Sequence, residues 1–154
     1  MTKFIGTWNH QIDAKGRVSV PASFRAVVQA TGRNDVALYP SPFERYINGC
    51  GFDRIDALAE SITDQLHPTA EQDDESHSLF GEVYSATLDS DGRIVLKDEF
   101  IAHAGLTNQA AFVGVGHRFQ IWQPDALQAA RYEMRLRLAA KRKLPLIDAG
   151  GGAS

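Results

Sequence analysis

An internal repeat is the feature of this sequence that most limits how the chain can fold. Residues 13–20 (DAKGRVSV) match residues 89–96 (DSDGRIVL) position by position. Three further pairs of large residues lie in the same register: Trp8 with Tyr84, Ile12 with Leu88, and Phe24 with Phe100. Each copy offers only a few short strands, too few for a core of its own. We therefore expect the two copies to pack together as a pseudo-dimer.

Alternating apolar residues predict a strand on each side of the turn in both copies. In the first copy Trp8, His10 and Ile12 would share one face of a strand. After the second strand, Pro21 is expected as the first residue of a short helix, which Gly32 ends. The second copy repeats this order of elements.

The residues between the two strands predict a tight turn. Gly16 and Gly92 stand where a hairpin requires a positive φ, which glycine adopts without a Cβ clash. Asp13 and Asp89 are placed to accept backbone N–H groups across the turn, as aspartates commonly do.

Helices are predicted between the two copies and after the second. In the first of them apolar residues recur at spacings of three and four: Ile55, Leu58, Ile62 and Leu66. Pro68 would end this helix, and Thr69 with Gln72 predicts a capping box that opens the next. A last helix, from about residue 125 to 141, has an apolar face: Leu127, Ala130, Met134 and Leu138.

These elements divide the chain into five segments. We expect a first hairpin module over residues 3–52, a helical insertion over 53–80 and a second hairpin module over 81–124. A C-terminal helix over 125–144 and a disordered tail over 145–154 would complete the chain.

The formal net charge of −3 conceals a strongly uneven distribution. Residues 1–34 hold five basic residues and one acid, whereas residues 53–82 hold nine acids and one base. Residues 131–143 hold six basic residues and one acid. Such asymmetry permits a basic binding face on an acidic protein, although composition alone favours a solvated face for each charge run.

Composition and the N-terminal residues point to a soluble, intracellular protein. The hydrophobic content of 44% supports a packed core. A single cysteine, Cys50, excludes an internal disulfide framework and fits a reducing cytoplasm. The first residues lack the apolar run of a signal peptide, and no stretch approaches the ~20 apolar residues of a membrane span. We expect no membrane partner.

No set of residues in the sequence predicts catalysis. Cys50 has no histidine nearby, and His67 and His77 fit no zinc spacing despite their acidic neighbours. Residues 114–116 (GVG) lack the third glycine and the helix of a dinucleotide fingerprint. We therefore expect neither an enzyme nor a metal, cofactor or small-molecule substrate.

The motif Asp-x-x-Gly-Arg followed by apolar-x-apolar-Pro, at residues 13–21, resembles the SpoVT/AbrB swapped-hairpin superfamily. Two copies, together with residues 113–122 (VGVGHRFQIW), resemble the MraZ family over roughly residues 3–140. This resemblance implies an α+β fold, a pseudo-two-fold swapped-hairpin β-barrel with peripheral helices and a C-terminal helix.

The resemblance also implies a function. MraZ proteins are cytoplasmic, nucleoid-associated transcriptional regulators that form homo-oligomeric rings on double-stranded DNA. They bind short direct repeats upstream of the division and cell-wall gene cluster. An antitoxin-like or purely structural assembly module on the same fold is the alternative. Two hairpin units and a helical extension favour the regulator.

The family's paired Asp and Arg positions correspond to Asp13 with Arg17 and to Asp89 with Arg93, and the resemblance implies that these four residues belong to the DNA-binding site. A guanidinium can form two hydrogen bonds to a phosphate, or to O6 and N7 of guanine, so Arg17 is the leading candidate for DNA contact. The alternative for Arg17 is an intramolecular ion pair with Asp13. Lys15, at the tip of the turn, is a candidate for a phosphate contact.

Lys3 and Arg25 are secondary candidates for DNA contact. The second copy departs from the first, with Lys97 in place of Pro21 and Asp91 in place of Lys15, so the two copies need not contact DNA equally. The basic residues of the last helix could bind DNA, form a solvated face, or contact the acidic middle of a neighbouring subunit.

Overall fold

The computed structural model describes residues 3–62 and 66–142. The strands are β1 (Thr7–Gln11), β2 (Arg17–Ser19), β3 (Asp35–Pro40), β4 (Ile47–Cys50), β5 (Tyr84–Thr87), β6 (Arg93–Val95), β7 (Gln109–Gly114) and β8 (Phe119–Trp122). The helices are α1 (Ala22–Gln29), α2 (Phe52–Ile62), α3 (Ala70–Leu79), α4 (Asp98–Ala104) and α5 (Pro124–Arg142). The expected mixed α+β class is confirmed. The tail predicted over residues 145–154 lies outside the described residues.

Strands from the two copies of the repeat are interleaved. A six-stranded antiparallel sheet has the order β1-β7-β8-β4-β3-β5, and β2 pairs with β6 in a separate two-stranded sheet. The hairpin strands of each copy therefore take their partners from the other copy: β1 pairs with β7, β5 with β3, and β2 with β6. The two copies share one set of strands, as expected of a pseudo-dimer.

An aromatic cluster occupies the centre of this core. Phe24 stacks on Phe119 with 5.1 Å between ring centroids, and Phe4 meets both rings edge to face. Trp8 packs edge to face on Phe24, whereas the ring of His10 meets Phe112. The predicted apolar face of the first strand thus covers the core.

The helices between the two copies pack beside β3 and β4. Ala37, Cys50 and Ile55 form a small buried cluster there, against which Leu79 packs. The predicted capping box is confirmed. The N–H of Gln72 donates to Thr69 Oγ1 at 3.1 Å, and the N–H of Thr69 donates to Gln72 Oε1 at 2.8 Å.

Two boundaries differ from the expectations. Pro21 has φ −51° and ψ 139°, which is not helical, so it occupies the N-cap position of α1 instead of forming its first residue. Leu66 was expected on the apolar stripe of α2, but this is wrong: it lies in a bend beyond the helix and is 88% exposed. Pro68 disfavours helical backbone in the residue before it, so the helix cannot continue through this bend.

The chain divides into two compact units, Met1–Gln123 and Pro124–Ser154. The first contains both copies of the repeat with the helices between them. The described part of the second is the 19-residue helix α5. Across the described ranges, none of the helices combines the length and apolar character needed to cross a bilayer.

Candidate nucleic-acid interface

The two-stranded sheet β2–β6, called here the ribbon, joins the repeated stretches of the two copies. Val18 lies directly opposite Ile94 in the antiparallel register. Both side chains are buried, each with 1% of its surface exposed. Because side chains alternate between faces along a strand, burial of this pair turns the neighbouring residues outward.

The outward face of the ribbon carries four residues. Arg17 lies opposite Val95, and Ser19 lies opposite Arg93. The two arginines occupy diagonal positions on one face, at which Cα atoms are typically ~7–8 Å apart. Val95 is 47% exposed, although it is apolar. The register therefore brings together two arginines that belong to different copies of the repeat.

Asp13 organises the first turn. Its Oδ1 accepts the backbone N–H groups of Lys15 and Arg17, both at 2.9 Å, and its Oδ2 accepts Arg17 Nε–H at 2.6 Å. The backbone N–H of Arg17 is the main cause that lowers the pKa of Asp13. The ion pair with Asp13, considered as an alternative role for Arg17, is thus formed. It engages Nε, and a guanidinium has four further N–H donors.

The second turn has the same scaffold with a different charge. Asp89 accepts the backbone N–H groups of Asp91 at 2.8 Å and of Arg93 at 2.9 Å, and Arg93 Nε–H at 3.1 Å. The backbone N–H of Arg93 is the main cause that lowers the pKa of Asp89. Arg93 also contacts Asp91 Oδ2 at 3.3 Å. Arg93 therefore pairs with two carboxylates, those of Asp89 and Asp91. Arg17 pairs with the carboxylate of Asp13, and Lys15 lies two residues before it in the chain.

Backbone hydrogen bonds tie each turn to the opposite copy. The N–H of Leu96 donates to the carbonyl of Gly16 at 2.8 Å, and the N–H of Val20 donates to that of Gly92 at 3.0 Å. Val20 and Leu96 are equivalent in the repeat, as are the two glycines. The ribbon thus has local pseudo-two-fold symmetry.

Arg25 lies over the second turn and not on the outward face of the ribbon. A Cβ added at Gly92 would stand 2.8 Å from Arg25 Cδ. The Nη1 of Arg25 donates to the carbonyl of Val20 at 2.6 Å. The equivalent residue of the second copy, Ile101, covers Gly16 in the same way. Arg25 therefore contributes to the packing of a turn.

Lys3 belongs to another region of the sheet. It precedes Phe4, which forms an isolated antiparallel bridge with Gly116. Its side chain is exposed. The structure thus gathers the Asp and Arg pairs and Lys15 at the ribbon, and leaves Lys3 outside it.

The chain is similar in sequence to a family of known proteins. A family model described as "MraZ protein, putative antitoxin-like" matches residues 79–143. "Transcriptional regulator MraZ" of Parvibaculum lavamentivorans is 43% identical over 149 residues, which are 94% of this chain and 90% of that protein. The protein of the same name from Xanthobacter autotrophicus is 39% identical over 147 residues, 93% and 91% of the two chains. The protein of the same name from Pelagibacter ubique is 42% identical over 133 residues, which are 86% of this chain and 85% of that protein.

The chain belongs to the MraZ family. The relatives match at about 40% identity across nearly the whole chain, so the match includes both copies of the repeat. The resemblance that rested on the two Asp-x-x-Gly-Arg turns and on residues 113–122 is confirmed.

Sequence reasoning missed two residues of the ribbon in this MraZ chain, Ser19 and Val95. They occupy equivalent positions of the two copies, one residue after the buried pair Val18 and Ile94. Each is flanked by residues that are buried, and this alternation was the available signal. The repeat has a polar residue at this position in one copy and an apolar residue in the other.

The single cysteine lies in the buried cluster beside α2. Cys50 is fully buried, and burial raises the pKa of its thiol to about 12. A thiol of this kind stays protonated at neutral pH. Among residues 3–62 and 66–142, no three His, Cys, Asp or Glu side chains gather as a metal site would require.

Proposed function

We propose that this MraZ chain is a sequence-specific, DNA-binding transcriptional regulator and not an enzyme. It binds short direct repeats in the promoter of the division and cell-wall gene cluster, as a homo-oligomeric ring. It works in the cytoplasm, associated with the nucleoid. The name shared by its relatives supports this proposal.

The outward face of the ribbon is the observation that carries the proposal. The major groove of B-DNA admits a two-stranded β-ribbon, and arginine pairs with guanine O6 and N7 through two hydrogen bonds. Arg17 and Arg93 share this face, and Lys15 stands at the adjoining turn. Asp13 and Asp89 orient the guanidinium groups through their Nε–H bonds, which reduces the entropy lost on binding.

The ribbon is symmetric in its backbone but not in its side chains. Lys15 and Ser19 of the first copy correspond to Asp91 and Val95 of the second. Because the two halves of this face carry different side chains, the face recognises a base sequence that is not a palindrome. Copies arranged around a ring in the same sense would then match direct repeats and not inverted ones.

We further propose that residues 3–52 and 81–124 form swapped-hairpin modules that close into one pseudo-two-fold barrel. The pairing of strands between the two copies supports the exchange of hairpins; among the described residues the larger sheet is open, with β1 and β5 at its edges. Residues 53–80 are the helical insertion, and residues 125–144 are the C-terminal helix. Lys3 and Arg25 remain secondary DNA candidates, with Arg25 acting through the second turn.

A single ribbon makes few phosphate contacts and binds weakly. A ring places several ribbons along one duplex, and each further contact becomes intramolecular, which can raise affinity ~10²–10⁴-fold. Only the face that meets DNA needs to be basic. A chain with a formal net charge of −3 can therefore bind DNA.

A fluorescence-anisotropy titration tests the proposal. The duplex carries the protein's own upstream region, and wild type is compared with Arg17→Ala across a range of salt concentrations. Loss of one bidentate contact costs ~1–3 kcal/mol, so affinity should fall roughly 5- to 150-fold and the salt dependence should become shallower. Arg54→Ala, which removes one positive charge from α2, is the matched control and should bind as wild type does.

An antitoxin-like module that binds a partner protein is the second candidate, favoured by the description of the family model. In that case the wild type would bind its upstream duplex no more tightly than random duplex. Equal affinity of Arg17→Ala and wild type for the upstream duplex would show that the ribbon is not the DNA-binding surface.

A further inference from the structure

An apolar groove opens beside α3, and none of the residues proposed to bind DNA lines it. It has a volume of about 390 Å³. Its apolar lining comes from β3, α3 and the loop between β3 and β4: Tyr39, Pro42, Phe43, Tyr46 and Leu79. Phe43 is 87% exposed at this groove. A large aromatic side chain exposed beside an apolar groove is typical of a surface that another chain covers.

The side of the groove formed by α3 is acidic. Glu75 lines the groove together with Ser78 and Leu79, whereas Arg118, whose Nε donates to Asn48 Oδ1 at 2.9 Å, lines it from the loop between β7 and β8. Glu71 lies one turn earlier on the same helix face, because residues four apart are neighbours on a helix. The helix has four acidic residues and no lysine or arginine, and all four acids are exposed. This face therefore favours a basic partner.

Helix α5 has a face of the opposite charge. Met134, Arg137, Leu138 and Lys141 line a shallow groove of about 300 Å³ along this helix. Leu138 is 50% exposed. Arg137 and Lys141 are four residues apart, the same spacing as Glu71 and Glu75. The face thus presents an apolar centre with two adjacent positive charges.

We infer that the Met134–Leu138 face of α5 from a second copy of this chain docks on the α3 groove. Leu138 would insert among the groove aromatics, and Arg137 and Lys141 would pair with Glu71 and Glu75. Matching charge at matching spacing makes a second copy the best occupant. This contact rests on the ring assembly of the proposed function, and these two surfaces would form the interface between neighbouring subunits of the ring.

The contact has a consequence for assembly. It joins two different surfaces of the same chain, so it is heterologous, and such contacts continue from copy to copy until a ring closes. Each copy would give its α5 face to one neighbour and receive that of the other. The α3 groove and the ribbon have no residue in common, so docking would use none of the residues proposed to bind DNA.

Charge exchange tests the inference on the full-length chain, by light scattering after size exclusion. Variant one is Arg137→Glu with Lys141→Glu, and variant two is Glu71→Lys with Glu75→Lys. Each alone should run at the mass of a monomer, because like charges then face each other. Mixed in equal amounts, the variants should form rings of wild-type mass, since each supplies the surface that the other needs.

A chain with all four substitutions should also form wild-type rings. Arg135→Glu and Asp73→Lys, which change charge on the same helices outside the two grooves, are the controls and should assemble normally. Circular dichroism establishes that every variant is folded.

Other outcomes would overturn the inference. If the four-substitution chain assembles but the mixture does not, the two faces meet within one chain. If variant one forms wild-type rings yet binds DNA less tightly than wild type, α5 is a DNA contact. If both variants form wild-type rings and bind DNA normally, the proposed docking is wrong while the proposed function stands. Wild type that neither assembles nor binds its upstream duplex would instead refute the proposed function.

Discussion

At the scale of single residues, His10 is a polar side chain that packs against the shared core. Its Nε2 atom is buried and has no hydrogen-bond partner among the described residues. Burial is the main cause that lowers the pKa of His10 from 6.5, and the positive charge of Arg25 lowers it further. The ring meets Phe112 at 5.9 Å and acts as a packing residue in the neutral form.

We predict that His10 makes the protein less stable in mild acid. The folded pKa lies below the ordinary value, so the unfolded chain takes up the proton first as the pH falls. Stability should decrease as the pH falls below about 6.5, the ordinary histidine pKa. The melting temperature of His10→Phe should fall less between about pH 7.5 and 5.5 than that of wild type.

A control separates this effect from general protonation. His67 is an exposed histidine, so His67→Phe is the matched control. An unchanged profile for His10→Phe would mean that another group causes the loss of stability.

At the scale of elements, the two hairpin turns have the same backbone but different neighbours. Gly16 has φ +80° and Gly92 has φ +76°, a region that disfavours side chains. A Cβ at Gly16 would lie 2.9 Å from the carbonyl oxygen of Leu96. A Cβ at Gly92 would meet the flexible side chain of Arg25 instead. The first turn therefore has less room to adjust.

We predict that Gly16→Ala destabilises the protein more than Gly92→Ala. Left-handed backbone costs alanine ~1–2 kcal/mol in either turn, and the contact with a backbone oxygen adds to this cost only at Gly16. Urea denaturation measures both variants. Gly92→Ala should also cost less in an Arg25→Ala background, where the crowding side chain is absent. Equal costs for the two glycines would contradict this account of the turns.

At the scale of the whole molecule, the interleaved strands make the two copies interdependent. The pairs β1–β7, β2–β6, β3–β5 and β4–β8 each join one copy to the other. The core residues Phe24 and Phe119 come from different copies and stack on each other. Within the first copy the hairpin segments share the isolated bridge between Ile12 and Val18, whereas the ladders of β1 and β2 are formed with strands of the other copy.

We predict that a chain divided between Ile62 and Leu66 reassembles from its two fragments. Coexpressed fragments should purify together in equal amounts and unfold in one cooperative transition, because all four strand pairs join them. Each fragment alone should show no cooperative transition in circular dichroism. A second fragment that folds cooperatively by itself would show that the copies are independent.

Much of the local structure could be predicted from the sequence because short-range interactions decide it. The Asp13 and Asp89 turns and the Thr69 cap involve residues at most four positions apart. The expectation failed at Leu66, where an apolar residue at helical spacing lies beyond the end of α2. Periodicity alone does not show where a helix ends.

The candidate site could be predicted only in part. The repeat singled out Arg17 and Arg93 as equivalent residues, and alternation placed Val18 and Ile94 in the core. The pairing of β2 with β6 depends on contacts between segments that are far apart in the sequence. The alternation of apolar and polar residues within one strand does not encode such contacts.

The sequence by itself determined the repeat, the two turns, the alternation of each strand and the MraZ resemblance, because these depend on residue identity and near neighbours. Only the tertiary structure decided that β2 lies against β6, with Arg17 and Arg93 on one outward face. It also placed Arg25 over the opposite turn. The physical reason is that strand pairing and side-chain burial are set by packing between segments distant in the chain, where many pairings satisfy the same local pattern.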